Sequence, residues 1–189
     1  NSIYKDMFTY YQWPTSYKTE WGGVTTNFAS DLLKNIYYKS GNSVIRNYLT
    51  DPYNIDAWRF DAVTSFFSSE TSDTNVIARD IRKYFKSINS NALMLAEEYK
   101  SEYIESGAWD ACWNGRFLNA SRQWFSSELS QSDFFDNLKL NTVKMPRPFG
   151  LSTVNMYNSH DASRLSDDVE KDLSKIMAAQ ILCMTFVGS

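Results

Sequence analysis

Three acidic residues stand where a buried strand is expected to end. They are Asp61, Glu97 and Asp161, and they close residues 58–61, 95–97 and 158–161. In parallel α/β folds, reactive groups collect at the C-terminal ends of the strands. We therefore expect these three carboxyl groups at the edge of a sheet where chemistry takes place.

Arg59 stands two residues before Asp61. Because side chains alternate along a strand, both point to the same side, and the guanidinium can hold Asp61 ionised, as a carboxylate nucleophile requires. Arginine suits this task better than lysine because its donors form a planar fork. A single Arg-x-Asp is also typical of a buried salt bridge, and Glu97-Glu98 of a solvated strand end. Neither pattern alone establishes catalysis.

Other kinds of reactive site find little support in the sequence. Ser159-His160-Asp161 has the residue types of a hydrolase triad, but such triads are assembled from residues distant in sequence. His160 is the only histidine, and no cysteine cluster accompanies it, so no metal site is expected. The sequence contains no phosphate-binding glycine loop. Cys112 and Cys183 lie among apolar residues and are interpreted as two buried free thiols.

Composition narrows the range of partners. The formal net charge of −3 argues against nucleic acid and membrane surfaces, which attract basic patches. No apolar run approaches the roughly 20 residues that span a bilayer. Aromatic residues make up 16% of the chain, which suits either a core or a sugar-binding cleft.

Strand-like and helix-like segments alternate along the chain, which indicates a parallel sheet of βαβ units and an α/β fold. Residues 1–50 look irregular apart from a short helix over 43–49. Strands are expected over 55–63, 93–96 and 108–113 and within 149–157. Helices are expected over 74–88, capped by Asp73, then around 117–125, and over 168–184 with Val169, Leu173, Ile176, Met177 and Gln180 on one side.

Three segments, taken in order, resemble the α-amylase family, glycoside hydrolase family 13. Residues 54–63 resemble its strand-four stretch, Asp-Gly-Trp-Arg-Leu-Asp-Val, whose last Asp is the nucleophile and matches Asp61. Residues 95–99 resemble the strand-five stretch, Val-Gly-Glu-Ile-Trp, whose Glu is the acid/base and matches Glu97.

The third segment, residues 158–164, resembles the strand-seven stretch Gly-Ser-His-Asp-Thr-x-Arg. The resemblance implies that His160 contacts the sugar in the reactive subsite and that Asp161 stabilises the transition state. It also suggests Tyr99, Arg164 and Trp21 as weaker candidates for substrate contacts, with packing an equally good explanation for each.

The stretches between these motifs are also similar to the family. Residues 40–53 and 107–111 resemble the approach to strand four and the strand-six segment of the neopullulanase, cyclomaltodextrinase and maltodextrin-glucosidase branch. The chain departs from the family pattern at Ala57 and Ala96, which replace glycine. It departs also at Ser65, where the family has His or Glu near the aglycone subsite, and Glu98 beside Glu97 leaves the acid/base role slightly ambiguous.

The resemblance implies that residues 1–189 are part of one catalytic (β/α)₈ TIM barrel covering roughly strands four to seven. Residues 1–50 would lead into strand four and residues 51–189 would carry strands four to seven with their helices. The implied activity is retaining hydrolysis of α-1,4 or α-1,6 glucosidic bonds in maltodextrins or starch, with an α-glucan oligosaccharide or polysaccharide as partner. No cofactor is required, and a structural Ca²⁺ is compatible with the complete domain.

Two alternatives stay open at this point. One is a transglycosylase of the same family, and the other is a non-catalytic fragment or glucan-binding module. A complete barrel needs about 250 residues, and a half-barrel leaves two strand edges unpaired. We therefore expect a segment of a longer protein, or association with another copy that covers the edges, and an isolated chain without activity.

Overall fold

The computed structural model describes residues 2–12, 15–16, 24–98, 100, 102–142, 152–161 and 163–188. The chain divides into two compact units. The first contains residues 1–97 and 106–110, and the second contains residues 98–105 and 111–189. Each unit combines helices with a pair of parallel strands, so the predicted α/β class is confirmed.

The first unit places a parallel strand pair against a long helix. Its elements are a 3-10 turn Lys5–Met7, β1 (Tyr10–Gln12), β2 (Thr15–Ser16), α1 (Asp31–Lys34) with a π-helical continuation Asn35–Lys39, α2 (Val44–Leu49), β3 (Ala57–Phe60), a 3-10 turn Val63–Ser65, α3 (Thr74–Ile88) and β4 (Leu93–Ala96). Strands β3 and β4 run parallel, with Arg59 opposite Leu95 and Phe60 opposite Ala96. This register brings the two strands to an end side by side.

Helix α3 forms where its sequence predicts. The Asp73 carboxylate accepts a hydrogen bond from the Asn75 N–H at 2.9 Å and caps the first turn. Ile77, Ile81 and Phe85 are buried on one face of the helix. Phe85 is 0% exposed, and truncating such a side chain to alanine costs about 3–5 kcal/mol. This helix is therefore a main support of the first strand pair.

Asp110 fastens helix α3 to strand β4. Its carboxylate lies 2.7 Å from Arg82 Nη2 and 2.8 Å from Lys86 Nζ, and it accepts the Met94 N–H at 2.8 Å. Burial alone would raise the pKa of Asp110. The hydrogen bonds from Arg82, Lys86 and Met94 prevail and hold that pKa below its ordinary value.

The second unit contains α4 (Glu102–Glu105), β5 (Ala111–Trp113), α5 (Gly115–Phe125), α6 (Gln131–Thr142), β6 (Thr153–Val154), α7 (Leu165–Asp168) and α8 (Leu173–Thr185). Strands β5 and β6 pair in parallel, with Cys112 opposite Thr153 and Trp113 opposite Val154. The core of this unit is apolar and includes Phe117, Phe134, Tyr157, Leu165 and Ala179.

The buried amide of Asn114 connects the strands of the second unit to α5. Its Oδ1 accepts the Phe117 N–H at 3.1 Å and caps the helix. Its Nδ2 donates to Asn155 Oδ1 at 3.0 Å. The amide thus ties the start of α5 to the residues that follow β6.

Most of the predicted elements are present. The helices over 43–49, 74–88 and 117–125 and the strand over 93–96 lie within a residue or two of their predicted bounds. The first predicted strand, 55–63, is shorter, since β3 covers Ala57–Phe60. The strand predicted over 108–113 begins only at Ala111, and a turn that includes Gly107, with a positive φ of 70°, precedes it.

The predicted helix over 168–184 is present only from Leu173 onward, as α8 (Leu173–Thr185). Glu170 and Lys171 have φ angles of 54° and 61°, which end α7, and the Asp172 carboxylate caps a new helix by accepting the Ser174 N–H. The residues predicted to share one side of this helix do not all lie on its buried side. Leu173 and Met177 are 73% and 64% exposed, whereas Ala179 is 0% exposed.

Further helical stretches were missed: the short helix α4 (Glu102–Glu105) and two others that begin at a side-chain cap. Residues 1–50 were expected to be irregular outside the short helix, but α1 and its continuation occupy 31–39, with Ser30 Oγ accepting the Leu33 N–H at 3.3 Å. The second, α6, begins at a reciprocal cap. Ser130 Oγ accepts the Asp133 N–H at 3.1 Å and donates to the Asp133 carboxylate at 2.7 Å.

Both cysteines, Cys112 and Cys183, are free, as predicted, although Cys183 is only partly buried. Burial, assisted by the charge of Glu98, raises the pKa of the Cys112 thiol to about 12, so this sulfur stays protonated. No helix among the described residues is long and apolar enough to cross a membrane.

Candidate active site

Arg59 joins two of the three predicted carboxylates. Its Nη1 lies 3.0 Å from Asp61 Oδ1, and its Nη2 lies 2.7 Å from Glu97 Oε1. The parallel register of β3 and β4 favours this contact, because Arg59 lies opposite Leu95 and both acids follow directly on the ends of their strands. The structure therefore brings Arg59, Asp61 and Glu97 together; the approach of Arg59 to Asp61 was predicted, and its contact with Glu97 was not.

Glu97 is held by backbone groups as well as by Arg59. Its own N–H donates to the Phe60 carbonyl at 3.0 Å, which extends the ladder between the strands by one residue. Its Oε2 accepts the Ala62 N–H at 2.6 Å. Ala62 has a φ of 42° in the left-handed region, which is costly for a residue with a Cβ. The bond to Glu97 helps to hold this unusual turn after Asp61.

Asp61 and Glu97 differ in exposure. The Asp61 side chain is 74% exposed, whereas that of Glu97 is 17% exposed. An accessible carboxylate can attack an electrophilic carbon, and a sheltered carboxyl group beside it can transfer a proton. Arg59 touches both groups, so it can balance their negative charge.

Glu98 is built into the fold in a different way from Glu97. It is 8% exposed, its carbonyl accepts the Trp113 N–H at 2.9 Å, and its charge acts on the thiol of Cys112. Glu97, by contrast, is held by Arg59 and by the Ala62 N–H.

Asp161 and His160 lie on a loop of the second unit. Their side chains are 61% and 71% exposed, and His160 Nε2 is 3.3 Å from Asp161 Oδ2. The sequence suggested that Asp161 closes a strand, but β6 ends at Val154, so Asp161 stands well beyond the strand end. Residues 155–157, which follow β6, are not part of a strand: the side chain of Asn155 bonds to Asn114, and Tyr157 is buried in the core.

The three weaker candidates for substrate contacts are Arg164, Trp21 and Tyr99, and the structure describes only the first of them. Arg164 is exposed at the start of α7, where its carbonyl accepts the Asp167 N–H. Trp21 and Tyr99 lie outside the described residues. Within the described ranges, no group of three or more His, Cys, Asp or Glu residues is arranged to hold a metal ion.

Sequence reasoning missed two features of this site. The bond from the Ala62 N–H to Glu97 was not foreseen, because a left-handed alanine has no sequence signal. The contact between Arg59 and Glu97 was not foreseen either, although aligning 57–60 with 93–96 as neighbouring parallel strands would have indicated it.

Comparisons with known proteins find similar sequences and structures. No protein-family model matches the chain. A maltogenic α-amylase of Bacillus acidopullulyticus is 23% identical over 199 residues, which cover 100% of this chain and 32% of that protein. A cyclomaltodextrinase of Geobacillus thermopakistaniensis is also 23% identical, over 198 residues, with the same coverage. The chain is homologous to glycoside hydrolases of the α-amylase family.

The solved structures support the same fold. The ligand-free cyclic α-maltosyl-(1→6)-maltose hydrolase of Arthrobacter globiformis matches with a TM-score of 0.82 at 18% identity, covering 100% of this chain and 43% of that one. The predicted α/β fold, a partial (β/α)₈ barrel, is thereby confirmed. The chain spans about a third of the length of the curated α-amylase-family relatives it matches.

Proposed function

We propose that this chain supplies the nucleophile and the acid/base of a retaining α-glucan glycoside hydrolase. The observation that carries the proposal is the position of Arg59, whose guanidinium is paired with both Asp61 and Glu97 at the ends of adjacent parallel strands. The order of the motifs and the homology to α-amylase-family hydrolases give this pair of carboxyl groups its reaction class.

The first half of the reaction assigns a separate task to each carboxyl group. Asp61 Oδ attacks the anomeric carbon as the glycosidic C–O bond breaks, and protonated Glu97 gives its proton to the leaving oxygen. In the second half, ionised Glu97 takes a proton from water, and that water displaces Asp61. Two displacements return the α configuration, as retaining enzymes require.

Their different surroundings fit these tasks. Asp61 must meet the sugar, and its side chain is mostly exposed. Glu97 must hold and return a proton in one orientation, and it is fixed by Arg59 and the Ala62 N–H. Retaining enzymes place the two carboxyl groups about 5 Å apart, a spacing that sharing one guanidinium favours.

The family resemblance gives Asp161 and His160 their roles in the proposal. Asp161 would accept sugar hydroxyl groups and bind them more strongly at the oxocarbenium-like transition state. His160 would contact the sugar in the reactive subsite. Arg164, Tyr99 and Trp21 are proposed only as further substrate contacts.

The substrate class follows from the named relatives. Their names, maltogenic α-amylase and cyclomaltodextrinase, point to linear and cyclic maltodextrins as the first compounds to test. Transglycosylation uses the same two carboxyl groups, with a sugar hydroxyl in place of water. Chromatography of the products at high maltotriose concentration separates the two activities, because a transglycosylase makes chains longer than its substrate.

The decisive variants are Asp61→Asn and Glu97→Gln in the full-length protein. Each should lower kcat for maltotriose by about 10⁴-fold or more while leaving thermal unfolding cooperative, since the residual rate then rests on binding alone. The matched control is Glu98→Gln, which should retain most of the activity. Near-normal turnover by Asp61→Asn or Glu97→Gln would exclude the proposal, and full activity loss in Glu98→Gln alone would move the acid/base role to that residue.

A further inference from the structure

Arg122, on helix α5, reaches the loop that carries His160 and Asp161. Its Nη1 donates to the Ser163 carbonyl oxygen at 3.0 Å, and its Nη2 donates to Ser163 Oγ at 2.5 Å. Nη2 also pairs with the carboxylate of Asp168 at the end of α7. Ser163 Oγ completes the cluster by donating to Asp168 Oδ1 at 3.0 Å. Ser163 stands two residues after Asp161. The cluster of Arg122, Ser163 and Asp168 therefore fixes the backbone close to that acid.

The two ends of the same loop are joined by a second contact. Asn158 Oδ1 accepts the Leu165 N–H at 2.7 Å, and Leu165 is 3% exposed in the apolar core. Inside the loop, the Asp161 N–H donates to Ser159 Oγ at 3.1 Å. The loop 158–165 is therefore closed at its base by Asn158 and held on its downstream side by Arg122.

We propose that Arg122 is a positioning residue that holds loop 158–165 so that Asp161 and His160 keep one orientation. The proposal rests on the proposed function, because the orientation of Asp161 matters for rate only if that acid acts on the sugar. The contacts suit the task. A planar guanidinium can bind a carbonyl and a carboxylate together, which an ammonium group does less well, and the Arg122 side chain is only 16% exposed.

The sheltered position gives these contacts their strength. Ion pairs on an open surface contribute little because water competes for both partners. Arg122 and Asp168 are 16% and 24% exposed, and charge-assisted hydrogen bonds are about twice as strong as neutral ones. By contrast, Asp161 and His160 are largely exposed. The described contacts that fix the loop thus lie at its base and downstream limb, and the acid itself stays accessible.

The test compares Arg122→Met with Arg116→Met in the full-length protein. Both arginines lie on α5, and Arg116 is exposed, so the second variant controls for loss of charge from the same helix. Hydrogen–deuterium exchange of peptides covering 158–165 is measured first. Arg122→Met should exchange about tenfold faster there than wild type, while Arg116→Met should not differ. Exchange in α3 should be unchanged in both variants.

Kinetics supply the second readout. Arg122→Met should lower kcat for maltotriose by about 100-fold, the scale of a small displacement of a catalytic group, and should change KM much less. Arg122→Lys should retain part of the kcat that Arg122→Met loses, because lysine keeps the positive charge but lacks the planar set of guanidinium donors. If Arg122→Met does not unfold cooperatively, the exchange rates over 158–165 and the kcat values are compared between Arg122→Lys and wild type instead.

Two results would overturn the positioning role: unchanged exchange over 158–165 in Arg122→Met, or faster exchange with an unchanged kcat. A wild-type protein without turnover on any α-glucan would instead contradict the proposed function. In that case the exchange comparison alone still decides whether Arg122 holds the loop.

Discussion

The strand ends of the first unit and the loop 158–165 of the second hold their acidic residues in different ways. Asp61 and Glu97 follow directly on β3 and β4, and the backbone ladder continues through the Glu97 N–H. Asp161 stands beyond the end of β6, on a loop fixed by the side chains of Arg122 and Asn158. Acids of the first kind are placed by strand register, and acids of the second kind depend on a few side-chain contacts.

This difference predicts where the molecule is sensitive. At the strand ends, Arg59 is the shared partner, so its loss should affect both carboxylates at once. In the loop, each substitution should affect one acid and leave the strand pair intact.

After the two carboxyl substitutions themselves, Arg59→Met should have the largest effect. It removes the charge paired with Asp61 and Glu97 together, so we expect kcat to fall by about 10³-fold and unfolding free energy to fall by about 1–3 kcal/mol. Arg59→Lys should lose most of the activity too, because lysine cannot present two parallel donors. Steady-state kinetics and urea unfolding measure these changes.

The control for Arg59 is Arg79→Met. Arg79 pairs with Asp73 at 3.8 Å, and both side chains are about half exposed, so its loss should change stability by less than about 1 kcal/mol. An Arg59→Lys enzyme with unchanged rate and pH profile would show that the shared guanidinium is not needed.

Asp161→Asn should have the next largest effect and should act on rate alone. We expect kcat to fall by about 100-fold, since a charge that stabilises the transition state is lost. Because the Asp161 side chain is 61% exposed, thermal unfolding should be unaffected. The comparison variant is Asp167→Asn, on the neighbouring helix α7, which should retain activity. A stability loss larger than the rate loss would make Asp161 a structural residue.

Asp110→Asn should have the smallest effect on rate, and its effect on stability should depend on pH. The pKa of Asp110 is depressed in the folded state, so its contribution is fully present above the unfolded value of about 3.9 and is lost as pH falls through the lower folded value. The variant should lose about 1–3 kcal/mol at pH 7.

The pH profile of urea unfolding checks the Asp110 interpretation. The gap between wild type and Asp110→Asn should shrink as pH falls below about 4. Asp136→Asn, which breaks an exposed pair with Lys139, should show almost no gap at pH 7. A gap for Asp110→Asn that stays constant down to pH 2 would mean that lost packing, and not lost charge, explains it.

The sequence predicted the strand-end region well and the loop region poorly, for physical reasons. Strands β3 and β4 have apolar runs that end at an acid, and α3 has a capping Asp73 and a periodic apolar face. Those local signals agree with the final fold. In contrast, α7 and α8 are separated by the left-handed residues Glu170 and Lys171, which carry no signal as strong as glycine or proline.

The residues of the candidate site could be proposed from the sequence, but the hydrogen bonds between them could not. The motif resemblance identified Asp61, Glu97, Asp161, Arg59 and His160. It did not indicate that Glu97 accepts a hydrogen bond from the Ala62 N–H or that Arg122 donates one to the Ser163 carbonyl oxygen. These contacts join residues 35 and 41 positions apart, and only the folded chain brings them together.

The proposed roles of Asp61 as the nucleophile and Glu97 as the acid/base are tested most directly by product stereochemistry after azide rescue. Asp61→Ala in the full-length protein is supplied with α-maltosyl fluoride and sodium azide, and the anomeric configuration of the product is determined by proton NMR. Azide entering the space left by Asp61 should give the β-configured glycosyl azide. In Glu97→Ala, azide should displace Asp61 from the glycosyl-enzyme and give the α-configured product. The opposite pair of configurations, or no azide product from Asp61→Ala, would contradict the assignment.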